Sequence, residues 1–142
     1  MAVEAFLHFN GNCREAVAFY AKVFGTESSI IFSFGDAPHS EESVLSEEAK
    51  KLVMYTSLNI NGSNVMFSDT LPDMPVTVGN NINLVISGKS IEEIKAIFNQ
   101  LKEGGTVFME LQETFWSKYY GMVIDKFGTS WHLNHMFKPF NS

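Results

Sequence analysis

The chain has 142 residues, of which 45% are apolar and 18% charged, a composition typical of a globular domain rather than a disordered chain. Ten Lys and Arg against sixteen Asp and Glu give a formal net charge of -6, which argues against nucleic acids and anionic membranes as partners. The single cysteine, Cys13, excludes an internal disulfide. We find no signal peptide and no apolar run of about 20 residues, so we expect a cytoplasmic protein.

Local patterns at the start of the chain predict a strand followed by a helix. Residues 5–9 form a short apolar run that Asn-Gly-Asn closes, as at the end of a strand. Asn12 and Glu15 have the spacing of a capping box, and apolar residues at helical spacing predict a helix over residues 14–24. Gly25 lies where a left-handed C-cap would end this helix.

The next segment combines a strand with an acidic loop. Residues 28–34 are rich in branched and aromatic side chains, which favours a strand. Residues 36–50 contain Pro38, His39 and two Glu-Glu pairs, and we interpret them as a solvated loop with a helical turn near residues 46–50. A surface for contact with a partner protein is an alternative interpretation of this loop.

A hairpin is the strongest local signal in the chain. Asn61-Gly62 separates two strand-like runs, residues 52–60 and 63–69, and this dipeptide favours a tight turn with positive φ. Residues 70–79 contain two prolines and are interpreted as a linker between two halves of the chain.

The second half repeats the order of elements in the first. Ser90 and Glu93 again have capping-box spacing, before a helical apolar stripe that Gly104-Gly105 ends. The strands predicted around this helix are residues 81–87, 106–112, 121–125 and 129–137. The pattern predicts one α+β domain built from two βαβββ modules, about residues 1–70 and 80–137.

Three segments carry a resemblance to a known family: LHFNGNCREAVAFYAKVFG, SDTLP and QETFWSKYYGMVIDKFGTSWHLN. They resemble the PhnB-like family of the vicinal oxygen chelate superfamily, which also contains glyoxalases, bleomycin-resistance proteins and extradiol dioxygenases. The resemblance implies two paired modules that form a curved mixed sheet with helices outside and a cavity between the modules, usually in a homodimer. Some members are labelled ubiquinone-pathway methyltransferases, but the chain has no glycine-rich cofactor loop after its first strand.

The resemblance also implies four positions for a divalent metal, two in each module. Register against the family pattern places Glu4, Met66, Asn81 and His132 there. Thioether and neutral amide groups are poor ligands for Mg, Mn or Ni, so only Glu4 and His132 suit a metal. His8 shares a strand face with Glu4 and could supply a third ligand. We therefore expect no metal cofactor and keep Glu4, His8 and His132 as weak candidates.

The sequence suggests six residues for a ligand pocket. Tyr55 points towards the predicted cavity by strand parity, and Trp116 lies in an aromatic connection beside it. His8 and His132 have a structural alternative as partly buried neutral histidines, and Trp116 has one as a core residue. The complete set of pocket candidates is His8, Tyr55, Met66, Asn81, Trp116 and His132.

Two functions stay open at this point. The first is a cofactor-free protein that binds a small molecule in a cavity between the modules. The alternative is a metal-dependent, glyoxalase-like lyase or isomerase, or a resistance transferase, acting on a small oxygenated substrate. Cys13 begins a helix, where the helix dipole can lower a thiol pKa, but no base is near it in sequence and a structural role is expected.

Overall fold

A computed structural model describes residues 1–38, 45–88 and 90–135 of the chain. The chain divides into two compact units, Met1–Thr77 and Val78–Ser142, called unit one and unit two below. In the described part of the chain, no helix has the length and apolar character that a membrane span requires.

The elements of unit one are β1 (Ala5–Phe9), α1 (Cys13–Phe24), β2 (Phe32–Ser33), α2 (Glu47–Lys50), β3 (Val53–Ile60) and β4 (Ser63–Asp69). The four strands form a mixed sheet in the order β1-β4-β3-β2. Strands β1 and β4 are parallel, and the other neighbours are antiparallel.

Unit two repeats this topology with the strand order β5-β8-β7-β6, in which β5 and β8 are parallel. Its elements are β5 (Leu84–Ser87), α3 (Ile91–Leu101), β6 (Thr106–Gln112), β7 (Tyr120–Ile124) and β8 (Ser130–Asn134). The predicted α+β class and the duplicated βαβββ order are therefore confirmed.

Short-range sequence signals are confirmed where they depend on local geometry. Asn61 (φ 49°) and Gly62 (φ 91°) both have positive φ, as the predicted hairpin turn requires. Gly25 has φ 62° and ends α1 in the left-handed conformation. The helical turn predicted near residues 46–50 is α2, and residues 39–44 of the acidic loop, His39 included, lie outside the described residues.

Three predicted strands are too long. Strand β2 stops at Ser33, since the Asp36 carboxylate accepts hydrogen bonds from the Ser33 N–H and Oγ–H and draws the chain into a 3-10 turn, Phe34–Asp36. Strand β5 begins at Leu84, because its pairing with β8 begins at Leu84 opposite Trp131. Strand β8 ends at Asn134 and not at residue 137; residues 136–137 lie outside the described part.

The capping box predicted at the start of α1 is wrong. The Asn12 side chain makes no capping hydrogen bond. The carboxylate of Asp69, at the end of β4, accepts instead from the N–H groups of Gly11 (2.9 Å) and Cys13 (3.0 Å). At α3 the predicted cap is present, because Ser90 Oγ accepts from the Glu93 N–H at 3.1 Å.

The two long helices, α1 and α3, each cover one face of the sheet in their own unit. In unit one, Tyr20 of α1 stacks on Phe67 of β4 with ring centroids 5.7 Å apart. In unit two, the buried stripe of α3 (Ile94, Ile97, Phe98 and Leu101) lies over β7 and β8, where Trp131 is 2% exposed. In each unit, strand residues of the other parity therefore point away from the helix.

Candidate functional site

In unit one, three of the predicted pocket residues lie on the sheet face that α1 leaves uncovered. Phe67 packs under α1, so its neighbour Met66 points to the opposite face, where it pairs with Phe6. The Phe6 ring stacks on His8 (4.6 Å) and meets Tyr55 edge-on (6.1 Å). The structure thus places His8, Tyr55 and Met66 on one face.

Two polar side chains of that face are already hydrogen-bonded. His8 is exposed, and its Nδ1 lies 2.7 Å from Ser68 Oγ. Glu4 precedes β1 and is also exposed, and its carboxylate accepts a hydrogen bond from the Asn64 amide at 2.5 Å. Both candidates for metal binding therefore have protein partners in unit one.

In unit two, His132 is held by a tyrosine that was not among the predicted site residues. His132 is half-buried on β8 between Trp131 and Leu133, which are both buried. Its Nδ1 lies 2.6 Å from the hydroxyl oxygen of Tyr120 on β7, and the two rings meet edge-on at 5.5 Å. Trp116 packs edge-on against the Tyr120 ring at 5.6 Å, so the predicted Trp116 and His132 share one aromatic cluster.

Burial keeps both members of the Tyr120–His132 pair uncharged. Burial lowers the pKa of His132 below its ordinary value of 6.5. Burial also raises the pKa of Tyr120 above its ordinary value of 10.0. Near neutral pH the pair is therefore a neutral imidazole hydrogen-bonded to a neutral phenol, and the imidazole presents Nε2 as its remaining polar atom.

A cavity of about 200 Å³ lies beside His132 on the same face of unit two. Apolar and polar side chains both contribute to its wall. The lining includes Phe108 of β6, Met122 and Ile124 of β7, Ser130 and His132 of β8, and Asn80 and Asn83 from the segment before β5. The predicted Asn81 is exposed and lies between these two asparagines, ahead of the strand in which it was expected.

The sequence suggested His132 as a candidate but not the residues that line the cavity beside it. Phe108 and Met122 belong to strands that were predicted correctly, but only the register of β6, β7 and β8 brings them beside His132. Strand parity gave a usable signal for one neighbour, because Met122 pairs directly with His132 across β7 and β8.

A second cavity of about 200 Å³ lies in unit one, beside the turn that follows β1. Its wall includes Gly11, Leu52 and Leu71 together with the polar residues Ser46 and Glu48. The Ser46 hydroxyl already caps α2 by accepting from the Ala49 N–H at 3.1 Å. None of the predicted site residues lines this cavity.

Cys13 is completely buried at the start of α1. The pKa of its thiol is raised to about 12. Burial is the larger cause, and the negative charge of the nearby Asp69 carboxylate is the second. A protonated, inaccessible thiol is a poor nucleophile, which supports the structural role expected for Cys13.

The residues present do not fit the metal that the superfamily resemblance implies. The four implied positions offer a carboxylate, a thioether, a neutral amide and an imidazole, from Glu4, Met66, Asn81 and His132. A thioether and a neutral amide bind Mg, Mn or Ni weakly. Among the residues that the structure describes, no three His, Cys, Asp or Glu are grouped so that they could hold a metal.

Comparison with known proteins identifies the family. A sequence profile of the family described as 3-demethylubiquinone-9 3-methyltransferase matches residues 1–134. The chain belongs to this family. A crystal structure of protein PA1353 from Pseudomonas aeruginosa, 32% identical, superposes with a TM-score of 0.83 and covers 95% of this chain and 97% of its own.

The predicted PhnB-like resemblance is confirmed by a second solved structure. The putative 3-demethylubiquinone-9 3-methyltransferase, PhnB protein, from Bacillus cereus is 26% identical, with a TM-score of 0.76 and coverage of 96% of this chain and 100% of that chain. The fosfomycin resistance protein FosX from Listeria monocytogenes is only 11% identical but has a TM-score of 0.64, covering 94% and 91% of the two chains. This likeness concerns the fold alone, and it confirms the predicted glyoxalase/bleomycin-resistance type.

Proposed function

We propose that this PhnB-like protein binds a small, largely apolar molecule in the unit-two cavity, without a metal. The observation that carries the proposal is a wall of Phe108, Met122 and Ile124 with the neutral His132 at its edge. Apolar walls with a few polar groups are the usual character of small-molecule sites. A void of about 150 Å³ holds benzene in a protein interior, so about 200 Å³ suits one substituted ring.

The methyltransferase activity in the family's name has weaker support in this chain. A nucleotide-type cofactor binds where a glycine-rich turn leaves backbone N–H groups open at the start of the first helix. In unit one, the Asp69 carboxylate already occupies the N–H groups of Gly11 and Cys13. The mixed strand order β1-β4-β3-β2 also differs from the parallel sheets on which such cofactors bind.

Binding of a single aromatic ring tests the proposal. We expect toluene to shift the backbone amide NMR signals of β7 and β8 in the full-length protein. Phe108→Ala removes one wall of the cavity and should weaken binding about tenfold, since a loss of about 1.5 kcal/mol, the lower end for burial of a Phe side chain, corresponds to about a tenfold change in affinity. Met74→Ala, at an equally exposed apolar residue of unit one, is the matched control and should leave the affinity unchanged.

Two results would count against the proposal. One is the absence of any shift with toluene at saturation, and the other is equal binding by the Phe108→Ala and wild-type proteins. Addition of Mn²⁺, Ni²⁺ or Zn²⁺ should change neither affinity nor stability. A metal bound stoichiometrically, with a gain of activity, would favour the lyase or isomerase alternative.

We also propose that the chain forms a homodimer, as the family resemblance implies. Large apolar side chains exposed on unit one support this proposal: Phe6 is 42% and Phe32 46% exposed, and both lie beside Tyr55. Exposed apolar groups that lie together are typical of protein interfaces.

A further inference from the structure

Four polar side chains line the unit-two cavity, and each keeps hydrogen-bond donors or acceptors that bind no other protein group among the described residues. Asn80, Asn83, Ser130 and His132 contribute two amides, a hydroxyl and an imidazole. Apart from the bond between His132 Nδ1 and Tyr120, the side chains of these four make no hydrogen bond within the described part of the chain. Their remaining donors and acceptors are thus available to a ligand.

The lining of this cavity also carries no formal charge. It contains no Asp, Glu, Lys or Arg, and His132 is neutral near pH 7. The nearest acidic side chain on β6 is Glu110, two residues from Phe108, and it is exposed to solvent. An ion that entered this partly buried site would lose hydration without gaining a partner of opposite charge, so a carboxylate or an ammonium group on the ligand would reduce affinity.

The hydrogen bonding of His132 indicates which of its atoms a polar group of the ligand would meet. Nδ1 of His132 is occupied by Tyr120, so only Nε2 is left for hydrogen bonding at this wall. The apolar groups of Phe108, Met122 and Ile124 leave room for the ring itself. A hydroxyl group can both donate and accept, so it satisfies either tautomer of His132 and the neighbouring amides.

We infer that the unit-two cavity selects an uncharged, single-ring aromatic ligand that carries a hydroxyl group, with this group hydrogen-bonded to His132 Nε2. This inference rests on the proposed function and adds the chemical class of the ligand. It concerns recognition only, and no bond of the ligand is made or broken.

A set of four ring compounds of similar size tests the inference: toluene, 4-methylphenol, benzoate and benzylammonium. The affinity of the full-length protein for each is measured by NMR titration near neutral pH. We expect 4-methylphenol to bind at least fivefold more tightly than toluene, and each ion to bind at least tenfold more weakly than 4-methylphenol. The expected preference reflects one additional hydrogen bond in a partly buried site.

Variants of His132 separate recognition from folding. His132→Leu should retain toluene binding and lose the preference for 4-methylphenol. His132→Gln, which keeps a polar group at this position, should retain part of the preference and serves if the Leu variant does not fold. Met74→Leu, at an exposed methionine of unit one outside the cavity, is the control, and we expect the same preference as in the wild type.

The outcomes distinguish the two proposals. If none of the four compounds binds, both the proposed function and this inference are wrong. If toluene binds as tightly as 4-methylphenol, or if an ion binds most tightly, the cavity binds ligands but the inferred ligand class is wrong. Retention of the full preference by His132→Leu would likewise overturn the role given to Nε2.

Discussion

At the scale of single residues, Asp69 connects parts of unit one that are distant in sequence. Its Oδ1 accepts hydrogen bonds from the N–H groups of Gly11 and Cys13, and its Oδ2 accepts from the Val53 N–H at 3.0 Å. Asp69 is only 3% exposed. One carboxylate therefore satisfies donors at the start of α1 and at the start of β3.

Loss of this carboxylate should strongly destabilise the protein. A buried donor without a partner costs about 1–3 kcal/mol, so Asp69→Ala should lower the free energy of unfolding by about 3 kcal/mol or more. Asp69→Asn keeps one oxygen acceptor and should cost about half as much. Asp73→Ala, at an exposed position of the linker, is the control and should stay within about 0.5 kcal/mol of wild type. Urea denaturation measures the unfolding free energy of all three variants. Equal losses for Asp69→Ala and Asp73→Ala would contradict the role given to the Asp69 carboxylate.

His132 should make stability depend on pH in the acidic range. Burial lowers its pKa in the folded protein, whereas the unfolded chain has the ordinary value of 6.5. Below pH 6.5 the unfolded state therefore binds more protons, and the free energy of unfolding falls as the pH decreases through the folded pKa. Tyr120 stays protonated in this range because burial raises its pKa above 10.0.

A His132→Gln variant isolates this contribution, because the other histidines are the same in both proteins. The difference in unfolding free energy, wild type minus variant, should decrease between about pH 7.5 and about pH 5. Urea denaturation at both pH values measures it. A difference that is constant, or that increases towards acid, would show that His132 is not kept neutral by burial.

At the scale of elements, the starts of the two helices look alike in sequence but differ in structure. Ser90 caps α3 with its own side chain, whereas α1 is capped by Asp69. Ser90→Ala should therefore cost about 1 kcal/mol of unfolding free energy, the usual effect of losing an N-cap. Asn12→Ala should cost less than about 0.5 kcal/mol, because no capping bond is lost. Thermal or urea denaturation compares the unfolding free energies of the two variants. A larger loss for Asn12→Ala than for Ser90→Ala would disprove this assignment of the two helix caps.

The hairpin turn between β3 and β4 offers a test of backbone conformation alone. Gly62 has φ 91°, and a Cβ atom there would meet nothing within 4 Å. Gly62→Ala should therefore cost about 1 kcal/mol through its backbone conformation only. Gly79 is not in the positive-φ region, and a Cβ there would lie 3.3 Å from Oδ1 of the exposed Asn81 side chain, which can move away. Gly79→Ala should therefore cost less than about 0.5 kcal/mol in the same denaturation experiment. Similar losses of unfolding free energy for Gly62→Ala and Gly79→Ala would contradict an explanation based on the positive φ of Gly62.

These elements show how much of the fold and of the site the sequence could predict. The hairpin at Asn61-Gly62 and the end of α1 at Gly25 depend on neighbouring residues, so local rules identified them. The cap of α1 comes from Asp69, far along the chain, and no local pattern reveals it. Tyr120 holds His132 for the same reason, since only the register between β7 and β8 brings them together.

At the scale of the whole molecule, one topology occurs twice with different uncovered faces. In unit one that face carries an aromatic cluster, Phe6, His8 and Tyr55, in which His8 Nδ1 is hydrogen-bonded to Ser68 Oγ. In unit two it carries a cavity with available polar groups around His132. This difference supports separate roles, ligand binding on unit two and subunit contact on unit one.

The proposed homodimer can be tested by molecular mass. Light scattering after size exclusion should give twice the chain mass of 15.9 kDa for the wild type. Phe6→Glu places a charge among the exposed aromatic groups of unit one and should shift the protein towards monomer, because burying an unpaired charge in an interface is costly. Val78→Glu, at an exposed apolar position of unit two, adds the same charge and should leave the mass at twice 15.9 kDa. A monomeric wild type would refute the dimer, and a dimeric Phe6→Glu protein would exclude this face of unit one from the interface.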